Sequence, residues 1–171
     1  RNPYAEMLAV CARTESKVKA VQEEFHIPLG YTNVADMVAN PDIDAIVVAT
    51  GADAHKEACL AACHANKHVF CEKPLAKTLE DCAEIEQAAA ENTGKFFTVG
   101  FMRRFDPSYA DAKQKIRAGV IGTPIAFKGV SLDPASVLPG HLEGVKKGIY
   151  VPWVIETGSH DADLARGDLE G

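Results

Sequence analysis

The chain has 171 residues, 47% of them hydrophobic, enough to bury one sizeable core and compatible with one domain or one and a fraction. Eighteen basic against twenty-four acidic residues give a net charge of −6, and the Lys and Arg residues are scattered, which argues against a nucleic-acid partner. No apolar run approaches the roughly 20 residues that span a bilayer, and the opening RNPYAEMLAV lacks the apolar stretch of a signal peptide, so no membrane association and a cytoplasmic location are expected.

In chain order, short continuous apolar runs recur at 7–11, 45–49, 68–70 and 96–99. Runs of this length without polar alternation suit strands covered on both faces, as in a parallel sheet. Between them lie segments of helical period: Val18, Val21 and Phe25 make one stripe, the Ala-rich stretch 56–65 a second, and Leu79, Cys82, Ala83 and Ala89 a third. Thr14, Asp53 and Thr78 stand at N-cap positions, Thr78 and Asp81 form an approximate capping box, and Asn66 can close the middle helix in the left-handed conformation. The pattern is β-α-β-α-β-α-β, a doubly wound parallel α/β sheet of the Rossmann kind, whose ligands sit at the carboxyl ends of the strands.

After Gly100 the pattern changes. A hinge at 100–105 leads to a helix carrying Tyr109, Ala112 and Ile116, then a strand at 124–130, a Gly- and Pro-rich loop at 133–148 and a partly helical segment at 149–169. The expected organisation is an incomplete Rossmann domain over 1–100 and the start of an α+β substrate domain over 101–171. Five cysteines, at 11, 59, 63, 71 and 82, form no CxxC pair. Cys59 and Cys63 could share a helix face near His64, but a structural zinc needs four ligands, so packing is the expected role and no metal site is predicted.

The strongest chemical signal is the junction KHVFCEKP, with Glu72, Lys73 and Pro74 directly after a predicted strand. An ammonium at a strand end faces the ligand crevice and can stabilise an alkoxide or polarise a carbonyl. On the residues alone, a solvated lysine before a turn is the plainer reading. The tip of the first strand, in LAVCARTESK, carries Ala12 where NAD-binding Rossmann domains place an acid, followed by Arg13 and Thr14. Lacking that acid, and with a guanidinium and hydroxyls close by, the position leans to NADP over NAD, although Glu15 weakens the positive field. A capping Thr14 beside a solvated Arg13 is equally compatible with these residues.

AIVVATGADAHKEACLAACHANKHVFCEKPLAKT is similar to the corresponding stretch of Gfo/Idh/MocA oxidoreductases, through their EKP motif. GFMRRFDPSY resembles the start of the second domain in the inositol dehydrogenases of that family, IGTPIAFKGVSLDP the strand that follows, and GSHDADLAR the family's His-bearing helix. The resemblance reverses the reading of Lys73. It implies hydride transfer between a nicotinamide cofactor, NADP or NAD, and a CH–OH group of a cyclic polyol or sugar. Lys73 and His160 are implied at the substrate hydroxyl; Thr50 and His55, from the ATxxxxH pattern, with Glu72 and Lys73, are implied near the cofactor. Arg103, Asp133 and Asp163 are implied to line the substrate cleft, and a homo-oligomer is implied for the whole protein.

Two departures matter. Glu156 stands where the family places Asp, one methylene longer, and a displacement of about 1 Å in a catalytic group can cost on the order of a hundredfold in rate. Gly167 within the last helix costs roughly 0.8 to 1 kcal/mol relative to Ala, so that end is expected to fray. The fingerprint GxGxxG is nowhere in these residues, so the chain alone is expected to bind cofactor poorly and to belong to a protein about twice as long. A cofactor-binding sensor without catalysis and a truncated product that does not fold are the rival expectations. His26, His64 and His141 read as surface residues.

Overall fold

The structure, a computed structural model, describes residues 3–169, with side chains through 167. The elements run β1 (Ala9–Cys11), α1 (Glu15–Phe25), β2 (Leu29–Tyr31), α2 (Val34–Val38), β3 (Ala45–Val48), α3 (His55–His64), β4 (His68–Cys71), α4 (Leu79–Glu91), β5 (Phe97–Val99), α5 (Pro107–Arg117), α6 (Leu138–Lys146) and α7 (Trp153–Leu169). Strand and helix alternate through β5, which is the doubly wound α/β fold expected. β2 and α2 are additions to the predicted order. Leu29–Tyr31 is only three residues with a central glycine behind Pro28, and α2 is a single five-residue helix capped by the Asn33 side chain, which accepts from the Ala35 N–H at 2.8 Å.

β1 and β2 pair in parallel, with Ala9 opposite Leu29 and Cys11 opposite Tyr31. β3, β4 and β5 form a second sheet in that order. The Val69 N–H donates to the Phe96 carbonyl and the Gly100 N–H to the Cys71 carbonyl, both at 2.8 Å, so partner numbers rise together as parallel pairing requires. Among the described residues no strand pairing joins the two sheets.

Contacts gather the chain into two compact units. One holds the residues up to Val48, Glu57–Phe70 and Ala83–Thr98; the other holds Ala49–Lys56, Cys71–Cys82 and the residues from Val99 onward. In the first unit the core is built from Val18, Ile27, Ile46, Val48, Cys59, Val69 and Ile85, all less than 9% exposed. β3 alternates: Ile46 and Val48 face inward while Val47 is 69% exposed, because no helix among the described residues covers that side of the strand. The buried stripe of α4 is Ile85 and Ala88, not Leu79, which is 84% exposed. Thr78 caps α4 by accepting from the Asp81 N–H at 3.1 Å, and Asn66 ends α3 at φ 57°. Cys59 and Cys63 are buried, and burial pushes the Cys63 thiol up, as suits an apolar packing residue.

In the second unit, the strand expected at 124–130 is not formed. No neighbouring strand is available to it among the described residues, and an isolated extended segment cannot satisfy its backbone through a ladder. The loop expected at 133–148 contains α6 instead, with Pro139 in its first turn, where a missing N–H costs nothing. α7 runs from Trp153 to Leu169 with Gly167 inside it.

Candidate active site

Lys73 lies two residues past the end of β4 and is joined to Pro74 by a cis peptide bond. Beneath it lies His55, the first residue of α3 and only 1% exposed. Its Nδ1 is 2.9 Å from the Pro74 carbonyl oxygen and its Nε2 3.0 Å from the Thr50 carbonyl oxygen. The imidazole thus ties the turn after β3 to the turn after β4. The ring is almost wholly buried between two carbonyl acceptors, to one of which a neutral imidazole donates, so His55 belongs to the scaffold and not to the ligand-facing surface expected of it. Thr50 is exposed and Glu72 half-buried, at the carboxyl ends of β3 and β4 respectively.

α7 brings the second half. Glu156 and His160 are four residues apart on one helical face, one turn above the other. The Lys73 ammonium donates to the Glu156 carboxylate and, at 3.3 Å, to the Glu156 backbone carbonyl. Lys73, Glu156 and His160 all line one cavity of about 580 Å³, together with Arg103 and Asp133. The His160 Nδ1 is buried and, among the described residues, has no hydrogen-bond partner, and its ring stands edge-on to Phe101 at 6.2 Å between centroids. Burial, then the charges of Lys73 and Arg103, hold its pKa below the ordinary imidazole value. A neutral imidazole beside an ammonium is a base and an oxyanion stabiliser in one site.

Arg103 donates to Asp161 at 2.6 Å and to the Ser131 hydroxyl at 2.9 Å, while Asp133 accepts from the Thr157 hydroxyl at 3.3 Å. Asp163 is not on the cavity wall. It is 8% exposed and accepts two hydrogen bonds from Arg104, one of them from Nε at 2.8 Å, so its carboxylate is committed to an ion pair instead of the cleft expected for it. That pair keeps the Arg104 pKa raised. Ala12, Arg13 and Thr14 lie in the other unit, at the carboxyl end of β1. The Ala12 N–H donates to the Tyr31 carbonyl at 3.1 Å, Arg13 is exposed, and Thr14 occupies the N-cap of α1 without a side-chain capping bond.

The cavity also holds residues that sequence reasoning passed over. His141, read as a surface residue, is half-buried on the wall with Tyr150 and Trp153. Nothing in the spacing of α6 and the start of α7 connects them; only the fold brings them together. Among the described residues no three His, Cys, Asp or Glu side chains are arranged to hold a metal ion, and no helix is long and apolar enough to cross a membrane.

Residues 1–101 match the model of Gfo/Idh/MocA, an oxidoreductase family with an NAD-binding Rossmann fold. The chain is similar to an inositol 2-dehydrogenase of Acidothermus cellulolyticus, 40% identical over 131 residues that cover 77% of this chain and 38% of that protein. It is also similar to a scyllo-inositol 2-dehydrogenase (NAD(+)) of Bacillus subtilis, 35% identical over 164 residues that cover 96% of this chain and 46% of the relative. Among solved structures, the scyllo-inositol dehydrogenase of Lactobacillus casei with bound NAD(H) and scyllo-inositol superposes with a TM-score of 0.89 at 28% identity, covering 98% of this chain and 49% of that one. The chain thus spans less than half the length of each of these three. With the alternating α/β elements, the EKP turn and the family match in agreement, the chain belongs to the Gfo/Idh/MocA oxidoreductase family.

Proposed function

We propose that the protein carrying this chain is an NAD-dependent dehydrogenase that oxidises a secondary alcohol of a cyclic polyol of the inositol type. The reading rests on the convergence of Lys73, Glu156 and His160 on one cavity, with a buried, unpartnered His160 nitrogen among them. A carbinol releases hydride only as its O–H proton departs, so the site needs a neutral base and a cation beside the oxygen. His160, disfavoured as a cation by burial and by Lys73, takes the proton. Lys73 stabilises the developing alkoxide, and Glu156 holds the ammonium in position. Arg103 and Asp133, on the same cavity, pair with ring hydroxyls.

The carboxyl ends of β3 and β4, with Thr50, Glu72 and Lys73, fit the nicotinamide half of a dinucleotide, since doubly wound folds bind ligands at strand ends. NAD, when bound, supplies the hydride acceptor. The Bacillus relative is named for NAD(+) and the Lactobacillus structure contains NAD(H), which supports NAD as the cofactor; neither supports a preference for NADP. The observation that favours NADP is Ala12 standing at the tip of β1 in place of an acid.

Incubating the protein with NAD and myo- or scyllo-inositol should produce the absorbance of the reduced cofactor. Replacing Lys73 by Ala should lower kcat by about 10²- to 10³-fold with little change in cofactor affinity. The second reading, a cofactor-binding sensor, is favoured by one observation: Glu156 replaces the family's Asp and ties up the Lys73 ammonium. Cofactor binding without turnover of any polyol would decide for it.

A further inference from the structure

His141 belongs to α6, and its imidazole is held from two sides. It stacks on the Tyr150 ring, 5.6 Å between centroids and 12° between planes, and meets the Trp153 indole edge-on at 4.6 Å and 84°. Tyr150 in turn is seated over Gly144, where a Cβ would stand 2.1 Å from its ring, so a glycine at that position is what lets the stack form. The His141 Nε2 is buried and, among the described residues, has no hydrogen-bond partner. A buried polar nitrogen left unpaired is costly, and this one is carried by a residue that lines the same cavity as Lys73 and His160.

We propose that His141 is a substrate-binding, specificity-determining residue whose Nε2 pairs with a ring hydroxyl of the polyol, with Tyr150 and Trp153 fixing the imidazole plane. The proposal rests on the polyol dehydrogenase reading above. A hydroxyl both donates and accepts, so it satisfies the ring nitrogen in either tautomer. An imidazole clamped between two aromatic rings loses little freedom on binding, which makes it a selective partner for one hydroxyl position among several. A site built to pair a hydroxyl discriminates against the analogue that lacks it, because the buried partner is then left unsatisfied.

The test is kinetic, on the protein with NAD and inositols. His141→Phe keeps the aromatic stack and removes the nitrogen. The expected result is a rise in KM for the polyol of about tenfold, with kcat and the KM for NAD nearly unchanged. Against a panel of monodeoxy-inositols, the wild type should reject one analogue that His141→Phe treats like the parent compound. His141→Gln, which restores a hydrogen-bonding group, should recover part of the loss. The ring-nitrogen NMR signal of His141 in the wild-type protein should shift when myo-inositol is added, a readout that needs no variant. Polyol turnover in the wild type together with an unchanged KM and unchanged analogue discrimination in His141→Phe, or an unmoved His141 signal, overturns this proposal alone. A wild type that neither binds nor oxidises any polyol removes the dehydrogenase reading and this proposal together.

Discussion

The charged form of His160 is disfavoured first by burial and then by Lys73 and Arg103, with Asp161 and Asp163 opposing more weakly. Its titration should therefore fall below 6.5, the ordinary imidazole value. The proton-accepting form then persists into mildly acidic solution, so the acid limb of kcat/KM should lie below that pH, and in His160→Asn the limb should vanish with a rate loss of about 10²- to 10⁴-fold. A pH–rate profile with the NMR titration of the His160 ring checks both, and an acid limb above 6.5 would remove His160 from the role of base. At this scale the sequence was most legible where residues sit in a linear motif, as Lys73 does in EKP and Glu156 and His160 do on one helical face. It was least legible where a neighbour from elsewhere decides the outcome. Arg104 withdraws Asp163 from the cavity, two backbone carbonyls absorb His55, and aromatic rings from α7 and the segment before it recruit His141.

Among the elements, α6 shows how local signals can conceal a helix. Its Pro139 and two glycines, 140 and 144, read as breakers, yet the proline lies in the first turn and the glycines sit in very different surroundings. A Cβ at Gly140 would meet nothing within 4 Å, whereas at Gly144 it would strike the Tyr150 ring. Gly140→Ala should thus stabilise the protein by up to about 1 kcal/mol through helix propensity. Gly144→Ala should destabilise it by about 1 to 3 kcal/mol through overpacking, despite the same gain in propensity. Denaturant melts of the two variants separate the effects, and equal shifts of one sign would refute the Tyr150 contact. Elsewhere, β2 and α2 were too short to produce a period, and residues 124–130 have strand composition without a strand beside them. A strand depends on its neighbour as much as on its own residues.

For the molecule as a whole, the alternation of strands and helices was readable because each helix repeats its pattern over ten or more residues in α1, α3 and α4. Stability against pH is also a property of the whole, and here the resolved shifts on the acid side share a sign. His160 has its folded pKa lowered from 6.5, so its neutral folded form carries no penalty above that pH, and stability falls as the unfolded chain takes up a proton below it. Glu15, lowered mainly by its bond to Lys19, and Asp81, lowered mainly by Lys56, contribute above their ordinary values of 4.5 and 3.8 and lose that contribution as pH falls further. The melting temperature should hold level just above 6.5 and decline in a first stage below it, with the solvent-screened Glu15 and Asp81 pairs adding little at lower pH. His160→Asn should flatten the first stage, a change of about 2 to 4 °C for each kcal/mol involved, measurable by calorimetry across that pH range.

Among the described residues the strands fall into a sheet of two and a sheet of three, so β1, β2, β3 and β5 each have one flank without a strand partner. Each such flank is a template on which another extended segment can be laid.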